Sequence, residues 1–160
     1  MNLEIRYAKE SESGLVLEFI KGIAEYELLS DQVVTTKEEI HQSIFVEKSA
    51  KVIIAFLDNV PAGFALFFYN FSTFKGRKGL YLEDLFVYKE YRGKGIGKAL
   101  FDYLLTVAKD NNCGRMEWVC LDWNQPAIDF YLSKKAIPMS EWTTYRIDEK
   151  DFSSSISKSL

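Results

Sequence analysis

The apolar residues of this chain recur with two different periods, which alternate from one terminus to the other. A spacing of three to four residues predicts helices, at Ser13–Tyr26, from Thr36, at 96–107 and at Pro126–Lys135. A spacing of two, or a short continuous apolar run, predicts strands, at Leu3–Arg6, Lys51–Leu57, Gly63–Phe71, Leu80–Val87, Met116–Cys120 and Trp142–Ile147. Because strands and helices alternate without repeats, we expect one α/β domain.

Turn and capping signals sharpen these boundaries. Asp58–Ala62 supplies turn residues between two strands and predicts a hairpin. Thr36 and Glu39 match a capping box at a helix start, on which the lone His41 is expected to be solvated. The polar Ser153–Ser155 indicates a frayed end, so the predicted domain covers residues 1–150 and a tail covers 151–160.

Composition and charge narrow the function classes. The 160 residues are 48% apolar and contain no run near the roughly 20 residues that cross a bilayer. No secretory signal is evident at Met1–Arg6, so the expected location is the cytoplasm, with no membrane partner. The net charge of −3 argues against nucleic-acid binding and is compatible with a cationic partner. Cys113 and Cys120 are not accompanied in the sequence by further residues at the spacing of a metal site, and we expect buried thiols and no metal site.

The most informative segment joins the strand 82–87 to a glycine-rich helix start at Arg92–Gly97. Unpaired N–H groups at a helix N-terminus bind phosphate, and glycines let the ligand approach the main chain. A dinucleotide fingerprint needs a third glycine where Lys98 or Leu100 stands, and a Walker loop needs Ser or Thr where Ala99 stands. The alternative is a flexible turn before an ordinary helix.

Two acids, Glu83 and Asp84, interrupt the apolar strand before this loop. Strand residues alternate between faces, so we expect Glu83 to share a face with Tyr81 and Leu85, and Asp84 to point away. Exposed or capping acids are the ordinary case. A strand end beside a phosphate loop is, however, where ligands bind in open α/β sheets.

A second polar group follows the strand at Met116–Cys120. Asn124 precedes the last predicted helix, where its amide either binds a ligand or caps the helix. The hydroxyl of Tyr131 has an ordinary pKa near 10 and could donate a proton to a departing thiolate. Core packing of its ring is the alternative.

The pattern Arg-x-x-Gly-x-Gly at Arg92, Gly95 and Gly97 resembles the acyl-CoA loop of the GNAT N-acetyltransferases, and the resemblance covers residues 3 to about 150. Four further segments are similar to the spermidine/spermine acetyltransferase group and its thialysine-acetylating relatives, namely Ala24–Glu27, Leu80–Asp84, Tyr91–Gly93 and Leu121–Gln125. One departure is Lys134–Ala136, where relatives usually have a glycine in left-handed conformation.

The resemblance implies a single-domain GNAT fold, with a mixed central sheet flanked by helices, and acetyl-CoA as cosubstrate. It implies that the cofactor is held by Leu85, Phe86, Val87, Arg92, Gly93, Lys94, Gly95, Ile96, Gly97, Lys98, Asn124 and Ala127. It further implies that Tyr131 is the general acid, and that the amine site is lined by Tyr26, Glu27, Glu83 and Asp84. A homodimer in which Trp142–Ile147 pairs or exchanges between subunits is also implied.

These residue types suit acetyl transfer to an amine. An alkylamine with a pKa near 10.4 arrives protonated, and the carboxylate of Glu83, directly or through water, could attract it and remove its proton. The favoured substrate is therefore a small cationic amine such as a polyamine, a diamine or thialysine. A GNAT that acetylates a protein or peptide amine, and a CoA-binding regulatory module without turnover, are the alternatives.

Overall fold

The computed structural model describes residues 1–157 as two compact units. The first unit is Met1–Leu121, and the second begins at Asp122. The expected boundary near residue 150, ahead of a polar tail, stays a prediction. A short helix at Phe152–Ser155 lies within that expected tail.

The first unit contains a five-stranded mixed sheet in the order β1-β2-β3-β4-β5. The strands are β1 Leu3–Tyr7, β2 Lys51–Leu57, β3 Val60–Ser72, β4 Arg77–Val87 and β5 Met116–Glu117. Strands β1 to β4 are antiparallel neighbours, and β5 is parallel to β4. The helices are α1 Ser13–Tyr26, α2 Lys37–Ile40 and α3 Ile96–Asp110. The expected mixed α/β sheet flanked by helices is confirmed.

Local signals account for two of these boundaries. Thr36 Oγ1 accepts a hydrogen bond from the N–H of Glu39, whose carboxylate accepts one from the N–H of Thr36, which confirms the capping box. Asp58 and Asn59 have φ values of 49° and 68°, as a two-residue hairpin turn requires. The hairpin is confirmed with a shorter turn than expected, because Val60 is already part of β3.

Helices α1 and α3 pack on opposite faces of β4. On one face, a Cβ at Gly22 would lie 2.7 Å from Cε1 of Phe86, so only glycine lets α1 approach this closely. On the other face, Gly97 of α3 lies against Leu85. The core beneath α1 includes the stacked rings of Phe19 and Phe64, both fully buried. Burying each such ring contributes about 2–3 kcal/mol.

A β-bulge interrupts β4 at the two acids. Leu82 pairs with Phe67 and Asp84 pairs with Leu66, so Glu83 is an extra residue with no opposite partner on β3. Tyr81 and Leu85 consequently lie on opposite faces, and the expectation that both share a face with Glu83 is wrong. Asp84 lies on the face that carries α1, because its partner Leu66 packs against the core cluster there.

The second unit contains helix α4 Gln125–Ser133, a loop, and helix α5 Phe152–Ser155. The strand expected at Trp142–Ile147 is wrong, because this segment has no regular structure. Its side chains are open to solvent, with Tyr145 91% exposed. In the first unit, β5 ends at Glu117, so the strand expected to reach Cys120 is shorter than predicted.

Candidate active site

The glycine loop opens into α3 with its amides exposed to a ligand. Gly93 and Gly95 have φ values of 75° and 78°, and no atom lies within 4 Å of a Cβ placed on either one. Gly95 is the N-cap in left-handed conformation, and its carbonyl accepts a hydrogen bond from the N–H of Ala99. The amides of the first helical turn have no intrahelical acceptor, as at the start of any helix. This geometry fits a bound phosphate.

Three carboxyl groups meet at the bulge of β4. Burial, followed by the charges of Glu83 and Glu27, raises the pKa of Asp84 from 3.8 to about 7. Burial and the charge of Glu83 also raise the pKa of Glu27. For both groups every cause raises the pKa, so the cluster destabilises its own charged form. It therefore favours either a bound proton or a positively charged ligand.

The C-terminal end of α1 adds to this negative potential. Glu27 is the C-cap residue, and its N–H donates to the carbonyl of Ile23 at 2.9 Å. The last carbonyls of a helix carry partial negative charge, which attracts cations and penalises a carboxylate. Tyr26, the last residue of α1, places its ring beside Arg92. The end of α1 and the bulge of β4 therefore both contribute negative potential to this region.

Arg92, the first residue of the loop motif, contacts the ends of β4 and α1. Its Nε donates to the carbonyl of Val87 at 2.9 Å, where β4 ends. The guanidinium carbon lies 4.9 Å from the ring centre of Tyr26 and 5.6 Å from that of Phe86. The first residue of the loop motif is therefore fixed against both the strand end and α1.

Helix α4 carries the remaining candidate residues. Asn124 is its N-cap, and Oδ1 accepts a hydrogen bond from the N–H of Ala127 at 3.4 Å, so the capping interpretation holds for this atom. Tyr131 lies about two turns after Asn124, with its ring beside that of Phe130. After the helix, Lys135 has a φ of 67°, a left-handed conformation that favours glycine. The helix end therefore adopts that conformation without a glycine.

The structure thus brings Tyr26, Glu27, Glu83 and Asp84 together within the first unit, beside the glycine loop. Asn124, Ala127 and Tyr131 belong to the second unit. Sequence reasoning missed the bulge and the contact between Arg92 and Tyr26. An acid pair inside an apolar strand was the available signal for the bulge, because two consecutive charges break strict alternation.

The structure also describes the histidine and the two cysteines that were considered from the sequence. His41 follows α2, and its Nε2 lies 2.7 Å from Oε1 of Glu10 on the protein surface. Cys113 and Cys120 are half-buried thiols. Within residues 1–157, no group of three histidine, cysteine or acidic side chains is arranged to hold a metal ion. No helix in the same range is long and apolar enough to span a bilayer.

Comparison with known proteins identifies the family. Residues 20–134 match the model of the acetyltransferase (GNAT) family. The thialysine N-epsilon-acetyltransferase of Bos taurus is 36% identical over 156 residues, which cover 90% of this chain and 91% of that protein. The enzyme of the same name from Caenorhabditis elegans is 33% identical, with 92% of each chain covered. The chain belongs to the GNAT acetyltransferase family and is an N-acetyltransferase.

More distant relatives and solved structures agree with this assignment. The spermidine/spermine N(1)-acetyltransferase-like protein 1 of Homo sapiens is 27% identical over 92% of this chain and 23% of that protein. An integron cassette protein from the mobile metagenome of V. cholerae has a TM-score of 0.79 and 30% identity, and the match covers 96% of this chain and 97% of that one. The resemblance drawn from the sequence motifs, including its subgroup, is confirmed.

Proposed function

We propose that this protein transfers the acetyl group of acetyl-CoA to the primary amine of a small cationic substrate, such as thialysine, a diamine or a polyamine. The observation that carries the proposal is the acidic cluster of Glu27, Glu83 and Asp84 at the bulge of β4, the strand that leads into the glycine loop. A compact group of carboxylates is better suited to bind a small cation than to bind an extended peptide. The relatives named for thialysine acetylation support the same substrate class.

The loop fits the pyrophosphate of a CoA ester. Main-chain amides between Gly93 and Lys98 would hold it, with Lys94 and Lys98 adding positive charge. Among the described strands, β5 pairs with β4 only at Leu80 and Tyr81. The edge of Leu85–Val87 that faces away from β3 therefore has no strand neighbour among them. The pantetheine arm would hydrogen-bond this edge as an added strand. When bound, acetyl-CoA supplies an acetyl thioester, and the amide of Leu85 or Phe86 would polarise its carbonyl.

Glu83 is proposed as the base. As the extra residue of the bulge it is exposed, so water can reach its carboxylate. The carboxylate of Glu27, and that of Asp84 once it has lost its proton, would draw the ammonium group into the site, and Tyr26 would flank it. A tight ion pair would raise the amine's pKa and hold the proton, so removal through an ordered water toward Glu83 is the better arrangement.

Tyr131 is proposed as the acid that protonates the departing thiolate, because a phenol keeps its proton at neutral pH. Asn124 and Ala127, at the start of α4, would contact the cofactor arm. The amine attacks directly within a ternary complex, so no cysteine nucleophile takes part.

We further propose a homodimer formed through the segment Trp142–Ile147, with the cytoplasm as the site of action. Trp142 and Tyr145 are 79% and 91% exposed and lack a strand partner within the described chain. Aromatic residues of this kind are typical anchors of protein interfaces. A second copy would supply the strand neighbour that the segment lacks.

The proposal is tested by thiol release from acetyl-CoA with thialysine, lysine, ornithine, diamines, polyamines and a basic peptide. We expect turnover with at least one small amine. When the concentrations of both substrates are varied, we expect intersecting lines in double-reciprocal plots of the initial rate, as a ternary complex requires. Turnover with the peptide alone would move the assignment to a protein substrate. CoA binding without turnover of any amine would favour a regulatory module.

A further inference from the structure

Arg92 opens the phosphate-binding loop, yet its side chain reaches toward the proposed amine site. Its guanidinium carbon lies 4.9 Å from the ring centre of Tyr26, and its Nε is held by the carbonyl of Val87. The next residue, Gly93, already belongs to the loop and has a positive φ. One side chain therefore contacts the end of α1 while its own main chain continues into the loop.

We propose that Arg92 is a positioning residue that couples the two half-sites, because occupation of the loop fixes the Tyr26 end of α1 beside the bulge of β4. This inference rests on the proposed function and adds a coupling between the two half-sites. CoA bound at the loop raises the affinity for the amine, and the amine raises the affinity for CoA by the same factor.

The packing around Arg92 supports such a linkage. Phe86 lies under the guanidinium at 5.6 Å and also fills the space left by Gly22 of α1. Any movement of Arg92 is thus transmitted to α1 through Tyr26 and through Phe86. The contact suits arginine in particular, because a planar guanidinium stacks on a ring while Nε donates to a carbonyl, and a lysine ammonium cannot do both.

The first test observes Tyr26 directly and needs no amine. Tyrosines are replaced by 3-fluorotyrosine, the Tyr26 resonance is assigned with Tyr26→Phe, and its ¹⁹F shift is followed on titration with CoA to saturation. The matched control is Lys94→Gln, which removes a loop charge whose Nζ lies over Tyr91 instead. We expect the resonance to move in the unaltered protein and in Lys94→Gln, and to lose at least about two-thirds of that movement in Arg92→Lys.

The second test measures the coupling itself. Calorimetry gives the Kd of the best amine substrate with and without saturating CoA. We expect CoA to tighten amine binding by about 3- to 10-fold in the unaltered protein. The ratio should fall to near one in Arg92→Lys, and also in Tyr26→Leu, which leaves the loop intact.

The inference is overturned if saturating CoA leaves the Tyr26 resonance in place, if Arg92→Lys preserves the movement, or if Tyr26→Leu preserves the ratio. Each of these results is compatible with normal acetylation, so the proposed function would survive it. Conversely, a protein that acetylates no amine would refute the proposed function, while the ¹⁹F titration would still decide the role of Arg92.

Discussion

The two units of this chain differ in whether they bury aromatic side chains in a core. In the first unit, rings such as Phe19, Phe64 and Phe67 are fully buried, and the buried apolar residues among those described all lie between Val16 and Ala108. In the second unit, Trp142 and Tyr145 are open to solvent. The contrast teaches that an aromatic residue becomes part of a core only where a neighbouring element covers it, whatever the local sequence pattern.

Replacing one aromatic residue by alanine in each unit should give the largest difference in the free energy of unfolding. Phe64→Ala removes a buried ring and should lower the free energy of unfolding by about 3–5 kcal/mol. Trp142→Ala should change it by less than about 0.5 kcal/mol when the chain is monomeric. Urea unfolding at low protein concentration measures both values.

The same Trp142→Ala variant tests the dimer. We expect the dimer dissociation constant to rise at least about tenfold, as the loss of an aromatic interface anchor implies. Sedimentation across a range of concentrations gives this constant. A monomeric parent protein, or equal unfolding losses from both variants, would break the contrast between a core unit and an interface unit.

Tyr131, the proposed acid, belongs to the second unit. Tyr131→Phe keeps the ring and removes the proton donor, so kcat should fall by about 10²- to 10³-fold. Thiol release measures this loss, with Tyr69→Phe on β3 as a control for removing a phenol elsewhere. A Tyr131→Phe variant with more than half of the parent kcat would exclude the hydroxyl as the acid.

The acidic bulge of the first unit should make stability depend on pH. Because the folded pKa of Asp84 is about 7 and its ordinary value is 3.8, the unfolded chain loses this proton first as pH rises. Asp84 therefore lowers the stability progressively between about pH 4 and pH 7, by at most about 4 kcal/mol.

Asp84→Asn cannot titrate, so its stability should fall less steeply over that range. At pH 8 we expect it to exceed the parent protein by about 2 kcal/mol, in urea unfolding without ligands. Equal pH slopes for the two proteins would show that the bulge does not hold Asp84 in its acid form.

The smallest expected effect concerns the end of α4. Lys135 adopts a φ of 67°, which is unfavourable for a residue with a Cβ. Lys135→Gly should raise the melting temperature slightly, corresponding to about 1 kcal/mol. Lys134→Gly is the control, because its backbone is not left-handed, and it should bring no gain. Equal effects from both substitutions would remove backbone strain as the explanation.

Much of the fold was predictable from local pattern. Helix α1 runs over Ser13–Tyr26 as its spacing predicts, and the capping box at Thr36 and the hairpin after Leu57 are also where local signals place them. The segment Trp142–Ile147 was not, because a strand needs a hydrogen-bonding neighbour that a local pattern does not supply.

The candidate site likewise has parts that could be predicted from the sequence and parts that could not. The glycine loop could be recognised from sequence, since Gly93 and Gly95 adopt conformations that few other residues favour. The position of Glu83 could not, because its face is decided by a register shift against β3, and a shift of one residue reverses the two faces. The contact between Arg92 and Tyr26 joins distant parts of the chain and leaves no local signature.

The central claim, that the bulge of β4 activates a small amine, is tested most directly by kcat/KM for the best small amine in the parent protein and in Glu83→Gln. The glutamine keeps the size of the side chain and removes its basicity. We predict a fall of at least about 100-fold at neutral pH, which lessens as pH approaches the pKa of the free amine. A value within threefold of the parent at neutral pH would contradict the claim.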